Sequence, residues 1–345
     1  MVTTIPDALY LEQEITTERF YNFDQTFVPE AMMDASIVDG ELLVTWPYIQ
    51  GAEAYELEWT WVNGYTGEST GGVAEVAAAT ALTYDFKYNA TRVRLEGQNY
   101  YSIPLIYGDG YIAFRYRGVG MGGTTFEIPL EGTWSSAGTT EGESGILSSY
   151  PNYVAINAHE GNDFNYGAGM SFIENGVRSV GVTYMDGVLK PRQSQAQLNS
   201  QDKIIVGSTI YDHYGRPAIG VMSAPVDQST LGYVDDLNMY DATTPYSKDH
   251  FDLDASTLVP MDETNSNGAA NYYSDQNADN TGANGYLPDA DGYPFVQVQY
   301  SPDPTGRIKK VGGLGEDLQL EDTDGGANEA HYTEYVYTTL WLTPM

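Results

Sequence analysis

Apolar and polar side chains alternate most cleanly at residues 54–62. Tyr55, Leu57, Trp59 and Trp61 fall on one face there, and Glu56, Glu58 and Thr60 on the other. A period of two predicts a β-strand with one buried face. The same criterion predicts strands at 41–46 (closed by Pro47), 91–95 and 111–120. Further strands are expected at 164–172, 179–184, 203–211, 217–222, 295–300, 307–311 and 331–337. Residues 1–35 carry no sustained period beyond a short helical stretch at 12–20 and read as a leader. Residues 123–160 are rich in Gly, Ser and Thr, the composition of a flexible linker. Residues 227–294 read as a polar insertion full of Asp, Asn and Gly.

This pattern divides the chain into a sandwich at 36–122 and, after the linker, an antiparallel hairpin domain at 161–345. Twenty-nine Tyr against 10 Phe, with 37 Gly for turns, fit a mostly β protein. Three stretches of the second domain share one theme. They begin at Tyr184-Met185-Asp186-Gly187, at Tyr211-Asp212-His213-Tyr214-Gly215-Arg216, and at Tyr300-Ser301-Pro302-Asp303-Pro304-Thr305-Gly306-Arg307. Each sets a Tyr at a strand end, then an Asp-containing turn, a Gly and a basic residue that restarts a strand. A unit of this kind, repeated, points to a stacking scaffold more than to a catalytic pocket. On this pattern Tyr184, Tyr211 and Tyr300 are expected at equivalent places, with Asp186 and Asp212 bonding the turn backbone.

The core Tyr-Asp-x-x-Gly-Arg, complete at residues 211–216, resembles the tyrosine–aspartate repeats of Rhs (rearrangement hotspot) proteins. The segments 207–212, 285–294 and 305–315 are similar to the region that precedes the repeat array in Rhs proteins of the Bacteroidetes type. In the first domain, Leu42-x-Val44-x-Trp46, then Gly51-Ala52-x-x-Tyr55-x-Leu57-x-Trp59, then Tyr111-x-x-Phe114-Arg115-Tyr116-Arg117-Gly118-Val119-Gly120 resemble a fibronectin type III domain. That resemblance implies that Trp46, Tyr55 and Tyr116 pack in the core. The Rhs resemblance implies a secreted or cell-surface protein whose repeats enclose a C-terminal effector. This chain would then cap or connect the shell, with the downstream repeats or effector as its partner.

Charge and candidate chemistry narrow the alternatives. The formal charge of −33, from 48 acidic and 15 basic residues, repels phosphate backbones and argues against nucleic acid as a partner. There is no cysteine, and no apolar run approaches a membrane span. His159, His213, His250 and His331 lie too far apart for a sequence-local zinc motif. Asp275, Asn277 and Asp279 place oxygen ligands at the opening positions of a calcium loop, although the later EF-hand positions fail. No nucleophile elbow, phosphate loop or nucleotide fingerprint is present. The expectation is a non-catalytic scaffold without a cofactor, apart from a structural calcium ion. The alternative is a carbohydrate-binding or adhesive module, in which Tyr and Trp stack on a glycan and calcium stiffens the acidic loops. A hydrolase with carboxylates drawn from distant strands is the third reading.

Overall fold

A computed structural model describes residues 21–30, 33–68, 74–135, 143–156, 164–198, 203–228, 230–251, 258–320 and 331–338. The short helix expected at 12–20 lies outside them. The architecture is mostly β and antiparallel, with a sandwich followed by one long meandering sheet.

The sandwich faces β1 (Asp34–Val38), β2 (Glu41–Thr45) and a later strand against a second sheet built on β3 (Ala52–Asn63). After β3 come the small hairpin of β4 (Tyr65–Glu68) and β5 (Ala74–Val76), and then β6 (Thr83–Asp85). The sandwich resumes with β7 (Ala90–Glu96), β8 (Tyr100–Pro104), β9 (Gly110–Gly122) and β10 (Ile128–Glu131). The sheet orders are β1-β2-β8 and β10-β9-β3-β7. Between them Leu42, Leu57, Trp59, Leu95, Ile103 and Phe114 are buried. Trp46 stacks on Tyr116 with ring centroids 5.6 Å apart and meets Tyr55 edge-on at 5.8 Å. The Trp59 indole N–H donates to the Tyr107 hydroxyl over 2.8 Å, which satisfies its one polar atom.

The polar face of β3 is not a solvent face. Glu58 and Thr60 are buried, and so is Arg115 on the neighbouring β9. Glu58 pairs with Arg115 at 2.5 Å and with Arg92 at 2.9 Å, while Glu56 pairs with Arg117 at 2.6 Å. Trp134 lies across the guanidinium groups of Arg92, Arg115 and Arg117, 4.5–5.1 Å from each. Beside it, Tyr84, Phe86, Leu147 and Tyr150 build a second apolar cluster on the same side. Sequence alternation saw Glu and Arg on that face and gave no sign of the layer that covers them.

Two boundaries differ from the sequence expectation. The expected leader is drawn into the core where it is described. Phe23 is buried, and Gly120 makes room for it, since a Cβ there would lie 2.6 Å from Phe23. The expected linker 123–160 contains β10, β11 (Ser144–Ile146) and β12 (Tyr153–Ile156), which pair with β9, β6 and β9 respectively. Its Gly and Ser residues make turns between short strands; only 136–142 and 157–160 fall outside the described residues.

The second sheet is a continuous meander of eight strands. They are β13 (Asn165–Phe172), β14 (Arg178–Met185), β15 (Pro191–Leu198), β16 (Ile204–Tyr211), β17 (Pro217–Val226), β18 (Phe295–Tyr300), β19 (Ile308–Val311) and β20 (Thr333–Glu334). The turns at 186–190, 212–216 and 301–307 therefore gather at one end. One face is covered. Val180, Val182 and Tyr184 meet Ile106 of the sandwich, and Phe172 reaches the Trp59 ring edge at 6.1 Å. Further along, the stretch expected as a polar insertion supplies Tyr246, Phe251, Met261, Ala269, Ala270 and Tyr293 to cover Ile219 and Phe295. Its polar residues make the turns, while these widely spaced apolar residues, two of them on the one-turn helix α1 (Ala269–Tyr272), form the cover. The opposite face carries small side chains in register: Gly167 beside Thr183, Ser194 and Gly207, and Gly169 beside Gly181 and Ala196.

Candidate functional site

The end of the sheet where the three turns gather brings most of the singled-out residues together. In the turn after β16, the Asp212 carboxylate accepts the backbone N–H groups of Tyr214 at 2.9 Å and Arg216 at 2.8 Å. Its other oxygen takes the Arg216 guanidinium through Nε at 2.8 Å and a terminal nitrogen at 2.7 Å. Burial opposes ionisation of Asp212, but the backbone N–H and guanidinium of Arg216 outweigh it and hold the carboxyl below its ordinary value. The turn after β14 repeats this geometry. Asp186 accepts the N–H groups of Val188 and Lys190, each at 3.0 Å, and Arg192 approaches its second oxygen at 3.3 Å. In the third turn Asp303 accepts the Thr305 N–H at 2.9 Å.

The three turns align differently from the sequence expectation. Each hairpin has a register shift just before its turn, and the residues that follow the shift are Met185, Tyr211 and Tyr300. Met185, not Tyr184, is thus the counterpart of Tyr211 and Tyr300. Tyr184 stands two residues before Asp186, whereas Tyr211 stands one before Asp212, and one residue of offset turns a strand side chain to the other face. Tyr184 is accordingly fully buried beside Tyr166 and Tyr233, and burial pushes its phenol up to about 12. The glycine expected at Gly187 is also displaced. The left-handed residue lies three places after the aspartate in every turn: Leu189 (φ 61°), Gly215 (φ 71°) and Gly306 (φ 68°). The constant unit is therefore Asp-x-x-(left-handed residue)-basic, ending on Lys190, Arg216 and Arg307. The offset of Asp303 lies entirely between Tyr300 and the Asp.

Successive hairpins are joined by a repeated rung. A tyrosine hydroxyl, at the end of a strand for Tyr211 and Tyr300 and three residues past β20 for Tyr337, donates to the carbonyl just after the basic residue of the preceding turn. Tyr211 bonds Pro191 at 2.8 Å, Tyr300 bonds Pro217 at 2.9 Å, and Tyr337 bonds Ile308 at 3.1 Å. The basic residue lies over the same ring. Lys190 is 5.4 Å and Arg192 4.9 Å from the Tyr211 centroid, Arg216 is 4.4 Å from Tyr300, and Arg307 is 5.0 Å from Tyr337. Each such contact contributes about 0.5–1 kcal/mol at a partly exposed site. Aspartate thus orders the turn and its basic residue, and that residue receives the next strand.

Two cavities flank the 212–216 turn. One, of about 550 Å³, lies towards Lys190, Arg192, Tyr233 and Tyr246. The other, of about 260 Å³, lies towards Tyr300, Phe251 and Gln297; Asp212 and His213 line both. Gln193 and Gln195, both buried, bond the backbone of Val234 and Gly232 and so fasten the insertion over the first cavity.

The candidate calcium residues lie elsewhere, in the insertion, and are engaged with protein groups. The Asn277 side chain bonds the Tyr272 carbonyl and the Asp279 N–H, Asp279 pairs with Lys203, and Asp275 accepts from Gln276. Among the described residues no three His, Cys, Asp or Glu side chains are grouped to hold a metal. Nearby, Glu263 is pushed above its ordinary value by burial and by Asp289, Asp275, Asp291 and Asp262. His213 lies against Tyr214 with the rings tilted by 46°, and His250 caps a short turn through Ser247.

Comparison of the chain with protein-family models finds no match, and comparison with curated proteins finds none. No helix among the described residues is long and apolar enough to cross a membrane.

Proposed function

We propose that the chain is a non-catalytic scaffold, the leading cap of a secreted or cell-surface shell of the Rhs type, whose sheet grows by adding hairpins. The observation that carries this reading is the rung. The same Tyr hydroxyl bond and the same cation-over-ring contact recur at Tyr211, Tyr300 and Tyr337, so each turn contains the docking element for the strand that follows. Nearest-neighbour contacts of this kind define extendable repeat architectures. The sandwich supports the role by closing the starting end: Phe172 of β13 packs on Trp59, and the Tyr101 hydroxyl donates to Gly176 at 2.9 Å.

The test is the size of the native polypeptide. An antibody against the sandwich should detect, in the producing cells, a species well above the 37.9 kDa of this chain. A native band at that mass would overturn the shell reading, and so would glycan-array binding lost on Tyr211→Ala in a protein that still melts cooperatively.

A further inference from the structure

β13 opens the eight-stranded sheet, and β14 is its one neighbour there among the described residues. The two strands pair over all of Asn165–Phe172 without a register shift. An edge strand presents a row of unpaired backbone groups, and proteins ordinarily blunt it with charge, proline, a bulge or brevity. The outer strands of the other larger sheets follow that rule. β1 carries Asp34, β8 ends in Pro104, β7 carries Arg92, Arg94 and Glu96, and β10 carries Pro129 and Glu131. β12 spans four residues and β20 two. β13 has no charged residue, no proline and no bulge. Its edge is also open. Ala168 stands opposite the buried Val182, on the covered face of the sheet, and is nevertheless exposed, as are Gly167 and Gly169.

The turn after β13 fixes which backbone groups point outwards. The Ile173 N–H donates to the Val177 carbonyl at 2.7 Å, and bonding alternates along an antiparallel pair. Ser171, Gly169 and Gly167 therefore bond β14, while Met170, Ala168 and Tyr166 turn their N–H and C=O groups away from it. We propose that β13 pairs with β13 of a second copy of this chain, antiparallel about a two-fold axis at Ala168, so that one sheet runs through both molecules. The sequence is self-complementary in that register. Tyr166 of one copy stands opposite Met170 of the other, a favourable ring–thioether pair; Gly167 stands opposite Gly169, and Asn165 opposite Ser171. A slip of one residue would set outward-pointing groups against groups already bonded to β14. The pairing continues the antiparallel ladder that β13 makes with β14 and closes as a dimer, since each copy uses the same edge. One strand pair buries less than the roughly 1,200 Å² of a stable interface, so the dimer is weak and reversible. The pairing is independent of the scaffold role and survives if that role is wrong.

The experiment is sedimentation equilibrium on the full chain, which should show a reversible species of twice the 37.9 kDa chain mass. Half-association is expected at about 0.1 mM, the weak end of the range for specific contacts. Raising sodium chloride from about 20 mM to about 500 mM should tighten the dimer about threefold or more, because salt screens two copies of charge −33. Ala168→Glu, which sets two carboxylates face to face across the axis, should abolish the dimer at an unchanged melting temperature. Ala168→Pro removes an outward N–H that the ladder to β14 does not use, and should do the same. The chain has no cysteine, so Ala168→Cys adds one thiol per copy. Opposed residues of a bonded pair have Cα atoms about 5.5 Å apart, within disulfide reach. Mild oxidation should therefore join Ala168→Cys copies much faster than Tyr88→Cys copies, whose thiol would be exposed on the sandwich. If Ala168→Pro misfolds, Ala168→Glu and the two cysteine variants decide. A chain that stays monomeric at about 0.5 mM in both salts would overturn the pairing, as that concentration lies above the expected midpoint. So would an Ala168→Glu protein that dimerises like the parent, equal cross-linking of the two cysteine variants, or open-ended oligomers in place of a dimer.

Discussion

Asp212→Ala removes the group that organises both a turn and the contact beyond it. The carboxylate is almost fully buried, with its side chain 5% exposed, and receives two backbone N–H groups and two guanidinium nitrogens. A hydrogen bond to an ionised group contributes about 1.5–3 kcal/mol net, but four on one side chain share their energy and do not add. Water can also reach the vacated N–H groups at the turn surface. The expected loss is about 2–4 kcal/mol, a large share of an ordinary domain's stability. Asp212→Asn keeps one oxygen for the backbone and loses the ion pair, so its loss should be about 1–2 kcal/mol. Arg216 freed from Asp212 no longer sits firmly over Tyr300. A double-mutant cycle between Asp212 and Tyr300 should therefore show coupling of about 0.5 kcal/mol, because the two side chains share Arg216 as a partner. Urea unfolding followed by fluorescence, with slopes checked for constancy, supplies all three numbers. The pH dependence adds a sign. A carboxyl held below its ordinary value contributes fully above the unfolded-state value of about 4, and the contribution is lost as pH falls through the folded-state value. The gap between parent and Asp212→Asn should narrow below about pH 4. An Asp212→Ala protein within about 0.5 kcal/mol of the parent, or a cycle with no coupling, would refute the rung as a link between hairpins.

Leu189 occupies the left-handed position that glycine holds in the other two turns, and its side chain is mostly exposed. Leu189→Gly should stabilise the chain by about 0.5–1 kcal/mol, the left-handed strain relieved less the added entropy of glycine; unfolding curves that show a loss would contradict the alignment of the turns. Glu263 is raised by burial and by the acids around it, so its ionised form destabilises the fold above the folded-state value, and that cost disappears as pH falls below the unfolded-state value. Glu263→Gln should therefore raise the melting temperature at neutral pH and make no difference near pH 3; a lowered melting temperature at pH 7 would show that the carboxylate has a favourable partner.

The strands legible in the sequence were those whose one face meets a core. Residues 54–62 and 111–120 alternate because β3 and β9 each face the sandwich interior through Leu57, Trp59, Phe114 and Tyr116. β15, which the repeat theme expects after Lys190, has no hydrophobic signature of its own, for the opposite reason. Its inward positions are Gln193 and Gln195, which bond backbone and not apolar carbon, so the hydrophobic pattern had nothing to register. The cover formed by the described residues between 231 and 293 was hidden by dilution. Tyr246, Phe251 and Met261 are spaced by turns, not by a period, and only the fold collects them. At the hairpin end, the Asp-to-basic spacing was present in all three copies, but Tyr184 drew attention one residue away from the true alignment at Met185. The Arg115–Glu58 layer under Trp134 needed pairing across three strands, and composition alone carries no signal of that.

The bare face of the long sheet bears on the behaviour of the protein in concentrated solution. A broad antiparallel sheet with one face open would ordinarily be adhesive, because contiguous exposed carbon drives association. Over β13–β15, Gly167, Thr183 and Ser194, and beside them Gly169, Gly181 and Ala196, offer backbone and short side chains with little carbon to bury, before Ile205 of β16 continues the second row. Two molecules meeting face to face would gain little by excluding water, and the charge of −33 would hold them apart. That part of the sheet is thus a poor apolar surface, and one covering layer suffices there.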